Sequence, residues 1–283
     1  QSFASLLSVK ESYLDTFTEN KELIPILIGL FSQSEYLSKT IIRRPDYLEL
    51  VGLEIFFKKS LQALKDELRD GIKGGQAVSD AIRIMRHVEE LRLSMLFLQK
   101  KITVIELTKG LSKTAEAILS GGLEESAGNL AVIGLGKLGG REITFNSDID
   151  IIFASTGDVT AEHTKAAERL LRLLISYTRE GTAYRVDTRL RPDGTKGPLV
   201  SSVNSFKDYY SKNAAFWEFQ ALLKARPVAG DIKTGQCFVD MARDILIRHG
   251  SLVSASDIRA MRERIQRELA KKTEGYDIKL GFG

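Results

Sequence analysis

The chain has 283 residues, 43% of them hydrophobic and 28% charged, the proportions of a folded globular protein with material for one large or two modest cores. A formal net charge of +4 is too mild to argue for nucleic acid, no apolar run approaches the ~18–20 residues of a membrane span, and the first residues lack a signal-peptide layout. One cysteine, Cys237, excludes an intramolecular disulfide framework, suits a cytoplasmic protein, and reads as a small buried hydrophobe.

Residues 1 to about 125 read as a helical domain. Leu61, Leu64, Lys65 and Leu68 follow helical spacing, as do Ala81, Ile84, Met85, Val88 and Leu91, then Leu107, Leu111, Ala115 and Ile118. Arg43-Arg44-Pro45-Asp46 marks a break and a new helix start. Gly71 and Gly74-Gly75 mark another, with Ser79 or Asp80 as N-cap beyond it. Gly121-Gly122 closes the section.

A second domain, 126–204, has α/β character. Leu130 to Gly134 is a short apolar strand, followed by the glycine turn Gly134-Leu-Gly-Lys-Leu-Gly-Gly140. Ser147 to Phe153 is a second strand, a helix covers 161–179, and a third strand runs from Ala183 to Leu190, where Arg185, Asp187 and Arg189 alternate with Tyr184, Val186 and Thr188. From Ser205 a third, helical segment extends to 283, interrupted at Pro227 and Gly230, with helices at 231–249 and 255–270. Trp217 reads as core, and Glu218 with Arg226 as an ion pair joining helix to sheet. The tail Asp277-Ile-Lys-Leu-Gly-Phe-Gly283 reads as a strand or loop with nothing to close it, so a longer native protein is expected. His87, His163 and His249 share no ligand spacing and read as surface or packing residues.

The chemistry concentrates in the middle. A glycine-rich turn exposes backbone N–H groups to a phosphate. Asp148 and Asp150 sit two apart on a strand, hence on one face, while Ile149 and Ile151 face the core. Asp187, on the third strand, can lie beside them in a mixed sheet. Three such carboxylates suit one or two magnesium ions together with substrate phosphates, and a pair of metals is suited to in-line displacement at phosphorus. Asp187 is further suited to act as general base on the nucleophile. The residues alone therefore point to a metal-dependent nucleotidyltransferase.

Longer motifs sharpen this. Gly-Lys-Leu-Gly-Gly-Arg-Glu, Asn-Ser-Asp-Ile-Asp-Ile-Ile-Phe, Tyr-Arg-Val-Asp-Thr-Arg-Leu-Arg-Pro-Asp-Gly, Gly-Pro-Leu-Val and Trp-Glu-Phe-Gln-Ala-Leu-Leu-Lys-Ala-Arg-Pro-Val-Ala-Gly-Asp occur in that order. The series resembles the bifunctional glutamine synthetase adenylyltransferase/adenylyl-removing family, from about Arg43 onward and most densely over 131–231. The resemblance implies an α+β fold, a polymerase-β-like nucleotidyltransferase mixed sheet flanked by N- and C-terminal helical segments. It implies Asp148, Asp150 and Asp187 as metal-binding catalytic residues. Gly136, Gly139, Gly140 and Ser147 fall on the phosphate-holding turn and its partner. Lys137 is a candidate for neutralising phosphate charge, Arg189 for contacting it, and Arg191 for contacting phosphate or bracing the carboxylates.

The family carries two such halves, one removing AMP from a glutamine synthetase tyrosine by phosphorolysis, one adding it from ATP. A single triad makes this chain one half. Gly197 to Val200, Asp208-Tyr-Tyr210 and Asp277 to Gly281 look more like the removing half. The implied substrates and products are ATP or ADP, AMP-tyrosine and phosphate. The implied partners are glutamine synthetase and, in the whole enzyme, a PII-type nitrogen signalling protein, with no nucleic acid and no membrane. The alternatives are the adding half, a nucleotidyltransferase acting on another protein or nucleic acid, and a non-catalytic sensor, against which three crowded carboxylates argue.

Overall fold

A computed structural model describes residues 23–48, 58–123, 128–250 and 255–269. The chain opens with α1 (Leu23–Gln33) and α2 (Glu35–Arg43), the latter capped by Ser34, whose hydroxyl accepts from the Leu37 amide. α3 (Leu61–Lys73) is capped by Ser60, runs through Gly71 and stops at Gly74. α4 (Val78–Leu98) starts after Ala77 without a side-chain cap, so neither Ser79 nor Asp80 opens it. α5 (Val104–Gly122) opens on a reciprocal Thr103/Glu106 capping box and ends on the expected Gly pair.

Then come β1 (Leu130–Gly134), the one-turn α6 (Gly136–Gly139), β2 (Ile149–Ser155), α7 (Ala161–Ile175), the two-residue β3 (Val186–Asp187) and β4 (Val200–Ser202). α8 (Val203–Lys212), α9 (Phe216–Leu222), β5 (Arg226–Gly230), α10 (Ile232–Gly250) and α11 (Ala255–Leu269) follow. The five strands form one mixed sheet in the order β3-β2-β1-β5, with β4 sharing β3's side of β2. β1 is antiparallel to β2 and to β5, whereas β3 and β4 run parallel to β2. This is the mixed α+β sheet between helical segments that the sequence leads one to expect.

Both faces of the sheet are covered, which is why β1 and most of β2 are apolar at successive positions. Leu130, Val132, Ile149, Ile151 and Phe153 join the main core with α3, α4, α5 and α7. Ala131, Ile133, Ile152 and Ala154 join a second core with Phe206, Phe238 and Ile245 of α8 and α10. Asp148 and Asp150 have the parity of the second face, at the end of β2 where that apolar cover stops.

α4 is buried almost all round, charged residues included. Arg86 pairs with Glu90 (2.9 Å) and Arg92 with Glu89 (2.6 Å), which removes the cost of burying either charge alone. Arg83, fully buried, donates to the carbonyls of Gly181, Leu173 and Ser176, and Arg86 to that of Ala183. The helix thereby fastens the loop that leads into β3.

Several local expectations fail for tertiary reasons. The third strand shrinks to Val186–Asp187, since β2 offers its edge to β3 only at Ile149 and Asp150 before β4 takes over. Pro227 does not interrupt a helix but sits in β5, an edge strand, where its missing N–H is harmless. Trp217 is 49% exposed, and Cys237 is exposed on α10. Glu218 caps its own helix and accepts from Tyr209 Oη (2.8 Å), so it does not pair with Arg226. His163 is the third residue of α7 and completes its cap with Thr160, as a packing residue should. The tail 277–283 lies outside the described residues. Among the described residues no helix is long and apolar enough to cross a membrane.

Candidate active site

The sheet register places Asp150 directly opposite Asp187 on neighbouring parallel strands. Side chains opposite each other in register project to the same face, so the third carboxylate joins the Asp148/Asp150 face. The glycine turn closes over them. Gly136 has φ +48°, and a methyl built there would overlap Asp150 Oδ2 while standing 3.1 Å from its Cγ. The Leu135 amide donates to the Asp150 carbonyl (2.9 Å), tying turn to strand. At Gly139 a methyl would overlap the Lys224 carbonyl, and at Gly140 it would stand 3.0 Å from Lys224 Cδ. Gly139 is needed for close backbone approach and Gly136 for its left-handed φ and its contact with Asp150, whereas Gly140 is bordered only by the flexible side chains of Glu142 and Lys224.

Ser147 lies beneath the turn. Its Oγ accepts from the Thr144 amide (3.2 Å), is 2.8 Å from Thr144 Oγ1, and receives Lys137 Nζ at 3.4 Å. Lys137 therefore reaches from the turn toward the carboxylate strand. Arg226 clamps the turn from below: it donates to the carbonyls of Leu138 (3.0 Å) and Gly139 (3.2 Å) and pairs with buried Glu116 of α5 (2.7 Å).

Two arginines hold the carboxylates. Arg189 grips Asp187 through Nε and Nη2, the latter at 2.6 Å, and donates its backbone amide as well. Those bonds outweigh partial burial and hold the Asp187 carboxyl below the usual carboxylate range, in the ionised form a cation requires. Arg185 donates from Nε to Asp148 and from Nη2 to the Asn146 carbonyl (2.9 Å). Arg191 turns away from the carboxylates: it donates to Thr188 O and Oγ1 (2.8 and 2.7 Å) and to the Gly197 carbonyl (3.3 Å), shaping the loop after β3.

Among the described residues no three His, Cys, Asp or Glu side chains are gathered to hold a metal as they stand. The arginine grip accounts for this, since Asp148 and Asp187 point at guanidinium groups rather than at one centre. The donor set still fits a hard divalent cation: three carboxylates on one face, two of them in register. Arg185 and Thr144 did not stand out as site residues in the sequence. For Arg185 a signal was present, because it lies two residues before Asp187 on the same strand face.

Comparison with known proteins gives the same family. The sequence model described as glutamate-ammonia ligase adenylyltransferase matches residues 24–127 and 122–241. The bifunctional glutamine synthetase adenylyltransferase/adenylyl-removing enzyme of Hahella chejuensis is 30% identical over 304 residues, covering 94% of this chain and 32% of that protein. The enzyme of the same description from Thioalkalivibrio sulfidiphilus is 32% identical over 293 residues, covering 91% of this chain and 30% of that protein. A shorter match, 37% over 188 residues, links 63% of the chain to 19% of the Cutibacterium acnes enzyme. The chain spans about a third of the length of the first two relatives.

Proposed function

This chain belongs to the glutamate-ammonia ligase adenylyltransferase family, and on that premise we propose that it is a metal-dependent nucleotidyltransferase unit that removes AMP from a tyrosine of glutamine synthetase. The observation that carries the reading is the pairing of Asp150 with Asp187 beneath a glycine turn that at Gly136 lies too close to Asp150 to take a side chain without displacing that carboxylate.

Asp148, Asp150 and Asp187 would hold one or two magnesium ions, which supply charge neutralisation and Lewis acidity at the phosphorus under attack. A phosphate oxygen forms the new bond to the AMP phosphorus, the bond to the tyrosine oxygen breaks, and ADP leaves while the tyrosine oxygen takes up a proton. Phosphate arrives already anionic, so little proton removal is asked of ionised Asp187. The incoming charge is met by Lys137 at the turn and by Arg189 and Arg185 beside the carboxylates, with Ser147 as a neutral hydrogen-bonding group. With a cation on the carboxylates, Arg185 and Arg189 would be free to meet substrate phosphates, for which their fork geometry is suited.

The direction, removal rather than addition, is favoured by the sequence at Gly197–Val200, Asp208–Tyr210 and Asp277–Gly281. Control of the whole enzyme by a PII-type signalling protein belongs to the same proposal. The organisation into helical 1–125, catalytic 126–204 and helical 205–283 is proposed with one qualification: β5 lends the catalytic sheet a strand from the last segment.

The test is to supply magnesium with adenylylated glutamine synthetase and phosphate, and separately unmodified glutamine synthetase with ATP. ADP release in the first reaction supports the removing unit. AMP incorporation in the second alone reassigns the direction. Neither reaction, with Asp187→Asn matching the parent in metal and nucleotide binding, sinks the catalytic reading.

A further inference from the structure

A cavity of about 290 Å³ lies between α2 and the loop that feeds β3, with Asn146 on its wall. Five cationic side chains line it, Lys39, Arg43, Arg44, Arg86 and Arg179, against one carboxylate, Glu180. That carboxylate is already engaged, because Arg44 pairs with it and Tyr47 Oη donates to it. Arg86 is committed to Glu90 and forms the buried floor. Arg43 and Arg179, both exposed at the mouth, make no ion pair or side-chain hydrogen bond among the described residues. Tyr177 is 81% exposed in the same lining.

Lys39 is paired with Glu35, Arg44 with Asp46 and Glu180, and Arg86 with Glu90, so Arg43 and Arg179 are the guanidinium groups left without an ion pair among the described residues, and together they suit an anion that accepts several N–H bonds at once. The cavity volume admits a small ligand, and the exposed Tyr177 ring offers a face to a planar body. We propose that this cleft is a second anion site that takes a small phosphorylated polyanion, of the pyrophosphate or nucleoside diphosphate class, held by Arg43 and Arg179. The site is separate from the carboxylate face and does not rest on the reaction assigned to it. It touches that face at one point: Asn146 lines the cleft, and its carbonyl accepts from the arginine that grips Asp148.

Metal-free conditions favour the cleft, because without a cation Arg185 and Arg189 stay paired with Asp148 and Asp187 and are not offered to phosphate. Sodium pyrophosphate, and separately ADP, are titrated into the full chain in excess EDTA, followed by calorimetry and by 31P line broadening. Saturable one-site binding of at least one probe is expected, and it should persist in Lys137→Ala/Arg189→Ala. In Arg43→Ser/Arg179→Ser it should weaken by at least about tenfold, the loss of two charge-assisted contacts. Both positions are exposed, so melting at the parent temperature is expected and excludes unfolding as the cause. Tighter ADP than pyrophosphate binding assigns Tyr177 to the base. Binding of neither probe overturns the proposal, as does a Arg43→Ser/Arg179→Ser affinity equal to the parent's.

Discussion

Replacing Gly136 by alanine tests the close approach of turn and carboxylate. Gly136 sits at φ +48°, and an added methyl meets Asp150 Oδ2 inside van der Waals contact, with Cγ at 3.1 Å and Cβ at 3.5 Å. An alanine in the left-handed region costs about 1–2 kcal/mol. The overlap is with the end of a short side chain, which relieves it by rotating away from its neighbours Asp187 and Asp148. The fold therefore survives with a melting temperature lower by roughly 2–8 °C. Activity should fall by about 10²-fold or more, since a displacement near 1 Å at a reacting centre has that effect. Turnover by Gly136→Ala is measured against its thermal denaturation curve. Unchanged turnover would refute the claim that Asp150 must lie against the turn. Activity lost only together with global unfolding would refute the claim that the defect is local.

Arg185→Ala removes an exposed ion pair worth at most about 1 kcal/mol, so stability should hold, while Mn2+ affinity read by electron paramagnetic resonance rises because the cation no longer competes for Asp148; weaker metal binding would contradict the competition. Arg226→Met leaves buried Glu116 with Arg141 alone, 3.7 Å away, takes the guanidinium donor from the Gly139 carbonyl, and leaves the Leu138 carbonyl with the Arg141 amide. Urea denaturation should show a loss of about 3 kcal/mol, and a change within experimental error would show the clamp to be dispensable. Burial raises the Glu90 carboxyl, but Arg86, His87 and Tyr36 outweigh it and the net shift is downward. A carboxyl lowered in the native state contributes stability that is full above its unfolded value of about 4.3 and is lost as pH falls through the native value. Glu90→Gln should accordingly be less stable at neutral pH and show a shallower loss of stability below about pH 4.3. A parent-like slope in acid would contradict this sign.

Much of the site was legible in the sequence because strand parity and turn chemistry are local. Asp148 and Asp150 share a face whatever surrounds them, and β1 begins and ends at Leu130 and Gly134, where the apolar run does. What sequence reasoning missed depends on partners distant in the chain. Arg226 reads as a partner for nearby Glu218, yet Glu116, 110 positions away, is the carboxylate it meets once α5 packs behind β5. Strand β5 was hidden by Pro227 and Gly230, residues that break structure locally but are tolerated at a sheet edge. The shortness of β3 follows from competition with β4 for one side of β2, which no local pattern encodes. Arg191 was grouped with Arg189 by sequence proximity, but the chain turns between them, and one guanidinium faces Asp187 while the other fills the following loop.

The central claim, a carboxylate triad that passes AMP from a protein tyrosine to phosphate, is tested most directly by following the phosphate. Adenylylated glutamine synthetase is incubated with magnesium, 32P-orthophosphate and either the parent chain or Asp150→Asn. The account predicts label in the β-phosphate of ADP with the parent, and a rate lower by several orders of magnitude with the variant at an unchanged melting temperature. Label appearing equally with both proteins, or AMP released without labelled ADP, would contradict it.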